Sequence, residues 1–516
     1  MARASRRPHL ATSRQVPAIP GCLAEPAPDP KKGASSAPKN PEVCNLLCAG
    51  RIPSSSQKAQ SRGTRVSVAV EFACAMLLLS SGAPSCAHAA PTAEGATLLA
   101  ADLTPVGAER AGNGDGNIPP WEGGLPQSPG IDPGVGYLDP FADDPVLFTI
   151  TVANADRYKD KLSPGHLALL KRYPDTFRMP VYRTRRSAAI PVAVEQEIRR
   201  QAGLAVEDGY RIRNVGLTTV PFPRPTDGLQ VIWNHIFRWR GGSVSRQYTW
   251  LLVTAHGLHY KALIRDHEVF AQHGYMTEAQ PGRLYNEYAF YLAPPELANT
   301  IFLRWEPIDP VGDSTINWRF DPFSLRVQRL PFFGYDDIPP ATGGLRVSDQ
   351  YDGFNGAPDD YDWKLLGKRE RFIAYNAYRL GSKKARYAEI LKPHHVNPEF
   401  LRYELHRVWV VEATLRRGAH HRYPRRLFYV DEDTWQIVQE EVYEESGELW
   451  RFGDHQTIQF YDVMVPWYRA LVHYDLRAGA YLVSYLDNEE KFAWRWGWRG
   501  RPVQFVPDHM QTIAKW

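Results

Sequence analysis

A mainly β protein, with a large antiparallel sheet behind an extended N-terminal arm, is the fold this sequence predicts. Three observations predict it. From about residue 230 almost to the C-terminus, apolar and polar residues alternate with a period of two. Short turns rich in Gly, Pro, Asp and Glu separate these runs, as successive hairpins require and parallel crossovers do not. Aromatic residues are dense in the same region: of 62 Phe, Trp and Tyr, only Phe72 precedes residue 90.

Taken in order along 516 residues, the chain opens with residues 1–60, which hold nine prolines, seven serines and no aromatic. Such a segment cannot bury enough apolar surface to fold, so it reads as disordered or as mistranslated upstream sequence. Residues 61–89 have the outline of a secretory signal peptide: Arg62 and Arg65, an apolar run over 66–79, then small residues ending Ala87-His88-Ala89. That run contains Glu71 and is shorter than the roughly 20 residues a membrane span needs. Cleavage after Ala89 and a periplasmic location follow as expectations. Residues 90–145 form the Gly/Pro-rich arm. Asn113, Asp115 and Asn117 alternate there as in a calcium loop, but Ile118 and Gly124 stand where that loop needs Gly and Glu. Residues 146–516 form the β domain. It begins with a helix-like segment over 154–173, where Ser163-Pro164 reads as a cap and first-turn proline. Strands are expected at 248–254, 258–265, 286–292, 300–306, 317–320 and 325–329. A C-terminal meander follows at 403–415, 425–430, 435–443 and 449–452.

Charge and cysteine content exclude several functions. Lys and Arg total 61 against 57 Asp and Glu, but residues 1–89 hold 11 basic and 4 acidic residues, leaving 50 against 53 beyond them. The body therefore has no basic footprint for nucleic acid. All five cysteines (Cys22, Cys44, Cys48, Cys74 and Cys86) precede residue 90. The body thus has no disulfide frame, thiol nucleophile or Cys-ligated zinc.

Several motifs in order carry a resemblance: residues 103–113, the 118–124 element, Phe148-Thr149-Ile150, Pro180-Val181-Tyr182, Pro221-Phe222-Pro223, Trp233-Asn234-His235, Tyr375-Asn376-Ala377-Tyr378 and the stretch 402–410. Together they resemble the DUF1329 family, which is similar to outer-membrane lipoprotein-sorting proteins. The resemblance implies a curved antiparallel sheet, a half-barrel closed by helices as in lipoprotein carriers, in a Gram-negative periplasm. It also implies a link to resistance-nodulation-division export pumps or the outer membrane.

No catalytic residue, metal or cofactor is expected. After residue 90 there is no G-x-S-x-G, S-x-x-K or H-E-x-x-H. His394-His395 and His420-His421 are adjacent pairs, and neighbours on a strand point to opposite faces; the second pair reads as an exposed hairpin tip. Asp336-Asp337 and Asp359-Asp360-Tyr361-Asp362 read first as solvated turns. Trp494, Trp496 and Trp498 read as an edge strand with one buried face. The candidate ligand-binding residues are Trp233, Asn234 and His235, read as sharing a strand, with Glu404 and His406. The first three suit either an aromatic core or a cavity wall; the last two suit an ion pair or a head-group contact. The expected function is a carrier or chaperone of a lipid, lipoprotein or other acylated molecule. The alternative is an accessory subunit of an export pump that binds no lipid, and a hydrolase ranks third.

Overall fold

A computed structural model describes residues 99–514 apart from 126–128, 217, 272–281, 332–333, 493 and 499–503. The expected signal peptide, its cleavage site and residues 1–60 lie outside the described residues.

Thirteen of the seventeen strands that the sheet has among the described residues form its body: β1 (Ser243–Thr254), β2 (Gly257–Phe270), β3 (Arg283–Ala293), β4 (Ile301–Pro307), β5 (Ile316–Asp321), β6 (Arg326–Arg329), β7 (Tyr361–Ala374), β8 (Tyr403–Leu415), β9 (Arg425–Asp431), β10 (Ile437–Tyr443), β11 (Leu449–Asp454), β12 (Val465–Asp475) and β13 (Ala480–Leu486). β1 to β6 form one antiparallel meander. β7 to β11 form a second, which continues through β12 to β13. The two join where β13 pairs with β1, Tyr481 opposite Val253. β6 and β7 are the far edges, so the curved sheet is open among the described residues. A single parallel contact, Tyr403 opposite Val181, makes it mixed.

Both faces are covered, which is why long stretches such as β1 are buried at nearly every position instead of alternating. The outer face of β2 to β5 packs Leu303, Tyr288 and Phe320 against Phe505 and Met510, beside the C-terminal helix Pro507–Ile513. The inner face of β7 and β8 receives the helix Gly228–Phe237; a Cβ on Gly228 would stand 2.9 Å from Val411, so only glycine permits this approach. The helix Pro164–Arg172 starts as expected: Ser163 accepts from the His166 N–H and Pro164 occupies the first turn. The arm lies against the body. The Trp435 indole donates to the Val106 carbonyl (2.9 Å), and Arg186 donates to the carbonyl of Glu109 (2.8 Å).

Two expectations need correction. Trp233, Asn234 and His235 stand on a helix, not a strand. Gly228–Phe237 is buried at every position except Gln230, and its largely apolar run reads in sequence like a buried strand. The second concerns His420-His421: His420 is exposed, but the His421 side chain is buried 3.4 Å from Asp349.

Candidate functional site

The register brings the inner-facing residues of β1 to β5 together. Tyr248 faces Ile264, which faces Tyr291; Ala289 faces Phe302; Glu287 faces Arg304, which faces Asn317. These side chains line a cavity of about 100 Å³. Its other wall comes from the crossing segment between β6 and β7, through Pro339, Pro340, Arg346 and Tyr351. The walls are largely aromatic, with Trp250 beside Tyr291 at a ring separation of 6.1 Å.

Charged groups close one end. Arg246 bonds Asp266 (2.9 Å) and Glu268 (2.8 Å), and the Tyr351 hydroxyl sits between Glu268 and Glu287. Burial pushes Asp266 up to about 7 against the pull of Arg246, and it raises Glu268 and Glu287 as well. Asp266, Glu268 and Glu287 offer oxygens within 4.8 Å of one another, the geometry of a cation site, but Arg246 already supplies the positive charge.

The residues singled out in the sequence fall elsewhere, and none lines this cavity. Trp233, Asn234 and His235 are fully buried. Asn234 accepts from the Phe222 N–H (2.9 Å) and donates to its carbonyl (2.7 Å), pinning the loop before the helix. His235 joins three parts of the fold. Nδ1 lies 2.9 Å from the Trp435 carbonyl and 3.2 Å from the Ile437 N–H; Nε2 lies 3.0 Å from the Asp352 carbonyl and 3.3 Å from the Phe354 N–H. A neutral ring, donating at one nitrogen and accepting at the other, fits this arrangement. Burial, with Arg238 nearby, holds His235 well below its usual range. Asp352, at φ 54°, turns the crossing segment, and its carboxylate takes Arg238 (2.7 Å) and Arg240 (3.0 Å).

Glu404 and His406 do share a face of β8, with His406 Nε2 3.2 Å from the Glu404 carboxylate. Glu404 also accepts from Arg402 (2.6 Å), Asn376 (3.0 Å) and the Arg185 N–H (2.7 Å). Burial alone would raise its carboxyl, but His406 and Arg402 bring it below the usual value. His406, Asp431 and Asp433 form a second cluster with cation-site spacing. There Arg186 binds Asp433 through two nitrogens, at 2.6 and 2.9 Å.

The residues that sequence reasoning missed are Trp250, Tyr291, Phe302, Arg304 and Arg346. The first four lay inside expected strands, and a guanidinium at the inward phase of 300–306 was the available signal. Arg346 lies in a Gly-rich loop with no periodicity.

The chain is similar to several known proteins. An uncharacterized protein of Pseudomonas aeruginosa is 43% identical over 426 residues, covering 81% of this chain and 93% of that protein. Two solved structures are more distantly similar. A putative outer membrane lipoprotein-sorting protein domain from Vibrio parahaemolyticus is 12% identical, with a TM-score of 0.39 over 55% of this chain and 98% of that one. A DUF1329 family protein from Desulfovibrio piger is 11% identical, with a TM-score of 0.38 over 55% and 100%. The family model described as protein of unknown function (DUF1329) matches residues 149–511, and with it the chain is placed as a member of the DUF1329 family.

Proposed function

We propose that the protein is a periplasmic carrier or chaperone of a lipid or other acylated molecule, working by burial and without catalysis. One observation carries this reading: an aromatic-walled cavity persists on an inner face that is otherwise filled by a helix and a crossing segment. Burial of an acyl chain is worth about 0.8 kcal/mol per methylene, and aromatic walls supply the apolar surface. The volume of about 100 Å³ matches roughly three waters of liquid. It admits one end of a ligand, and the rest of a longer chain lies outside it.

The test is mass spectrometry of organic extracts from protein purified without detergent, beside Ala289→Trp, which fills the cavity from its wall. The expected result is a stoichiometric acylated molecule in the wild type and its loss in the variant. An empty wild type that binds no added fatty acid overturns the reading.

The accessory-subunit reading keeps one supporting observation. Phe323 and Leu325 are 83% and 66% exposed at the turn between β5 and β6, an apolar tip suited to docking on an export pump or outer-membrane partner.

A further inference from the structure

Buried arginines are ordinarily matched by carboxylates, because an unpaired buried charge is costly. Arg246, Arg426 and Arg186 follow this rule. Arg346 does not. It is 5% exposed and lines the cavity, yet among the described residues no carboxylate lies within ion-pair distance. Among the described residues its one hydrogen bond runs to the Val347 carbonyl (3.3 Å), and its guanidinium lies 4.8 Å from the centre of the Trp250 ring. A guanidinium has five N–H donors, so most are left without a protein acceptor.

A second arginine shares the cavity, although burial there is outweighed by Tyr285, Glu287 and Glu306, which raise it above its usual range. Arg304 donates to the Tyr285 hydroxyl (3.2 Å) and lies over the Tyr351 ring at 5.2 Å, again with no carboxylate at ion-pair distance among the described residues. Glu287, opposite Arg304 in the ladder, is the carboxylate of this cavity, and it is engaged by Tyr351. The Trp250 indole N–H, in the same wall, is buried without an acceptor. Two guanidiniums and an indole N–H thus converge on a small chamber with more donors than acceptors.

We infer that the chamber recognises an oxyanion: Arg346, assisted by Arg304, holds the carboxylate or phosphate head of an amphiphile whose apolar part runs along Trp250, Tyr291 and Phe302. A carboxylate or phosphate is the group to which an arginine fork is complementary, and hydrogen bonds between charged partners are about twice as strong as neutral ones. The inference rests on the binding reading above and adds the chemistry of the head group.

Calorimetric titration of the full chain separates the two. The probes are laurate, dodecyl phosphate, dodecanol and inorganic phosphate, on the wild type, Arg346→Gln and Arg346→Lys, with each variant's fold checked by circular dichroism. The expected result is that the acyl anions bind at least about tenfold more tightly than dodecanol, that Arg346→Gln abolishes this advantage, and that Arg346→Lys keeps part of it. If Arg346→Gln does not fold, Arg304→Gln takes its place, with a smaller loss expected. Equal binding of laurate and dodecanol, indifferent to Arg346, overturns the anion inference and leaves the carrier reading standing. Binding of inorganic phosphate through Arg346, with no affinity for the acyl probes, supports the anion site and overturns acyl carriage. No binding of any probe overturns both.

Discussion

Arg426 on β9 and Arg346 above β1 are both buried against the inner face of one sheet, in opposite company. Arg426 touches Asp349 and Glu440 (2.7 Å), and Gln350 donates to that same Glu440 (2.6 Å). Carboxylates raise Arg426 well above its usual range despite its burial, whereas burial draws Arg346 down with only tyrosines to oppose it. The half of the sheet formed by β7 to β11 thus uses the crossing segment to complete its ion pairs. The half formed by β1 to β5 uses the same segment to roof a chamber. At Arg426 buried charge holds the structure together, and at Arg346 it is left available to a ligand.

The sharpest way to break this comparison is to remove each arginine in turn. Arg426→Met leaves Asp349 and Glu440 buried without a counter-charge and is expected to cost about 3–5 kcal/mol in urea denaturation. Arg346→Met strands no carboxylate and is expected to change stability by less than about 1 kcal/mol in the ligand-free protein. Equal losses would erase the distinction.

A second contrast lies in pH dependence. His455, buried beside His473 at a ring separation of 5.1 Å, is pushed down to about 4 by burial. The unfolded state therefore takes up protons first, and stability present above pH 6.5 is lost as pH falls towards 4, by up to about 3 kcal/mol for this site. Asp266 has the opposite sign. Its folded form keeps a proton up to about pH 7, so its share of stability is lost as pH rises from about 4 to 7. Denaturation curves at pH 5 and 7 are expected to show a flatter acid loss in His455→Gln and a flatter loss towards neutrality in Asp266→Asn.

A third contrast concerns the helix residue that ties the crossing segment to β10. His235→Ala removes the ring that serves Asp352, Trp435, Phe354 and Ile437, and is expected to cost about 1–3 kcal/mol. Because His235 does not line the chamber, laurate affinity measured well below the variant's melting temperature should stay within about twofold of the wild type. A larger drop in affinity would place His235 in the binding machinery.

Strand positions were legible in the sequence: 286–292 and 403–415 lie within observed strands, and 300–306 starts one residue early. The helix at Gly228–Phe237 was not, since Gln230, Asn234 and His235 are its few polar residues in a run otherwise as apolar as a buried strand. The contact of Glu404 and His406 was legible because both sit on one strand two residues apart. The chamber was not, because Arg304 and Arg346 meet only through tertiary structure. Nothing local distinguishes Arg346 in Gly343-Gly344-Leu345-Arg346 from an arginine in a solvated turn.

The seam between β1 and β13 has a consequence in time. Val253 finds Tyr481 only after almost the whole domain has been synthesised, so the two meanders cannot become one sheet while the chain is still emerging. Pairings this distant in sequence close slowly, because the entropy of the intervening loop is lost before the ladder repays it. Until then β1 presents an unpaired edge, and that interval is when the chain is open to mispairing or to capture by a chaperone.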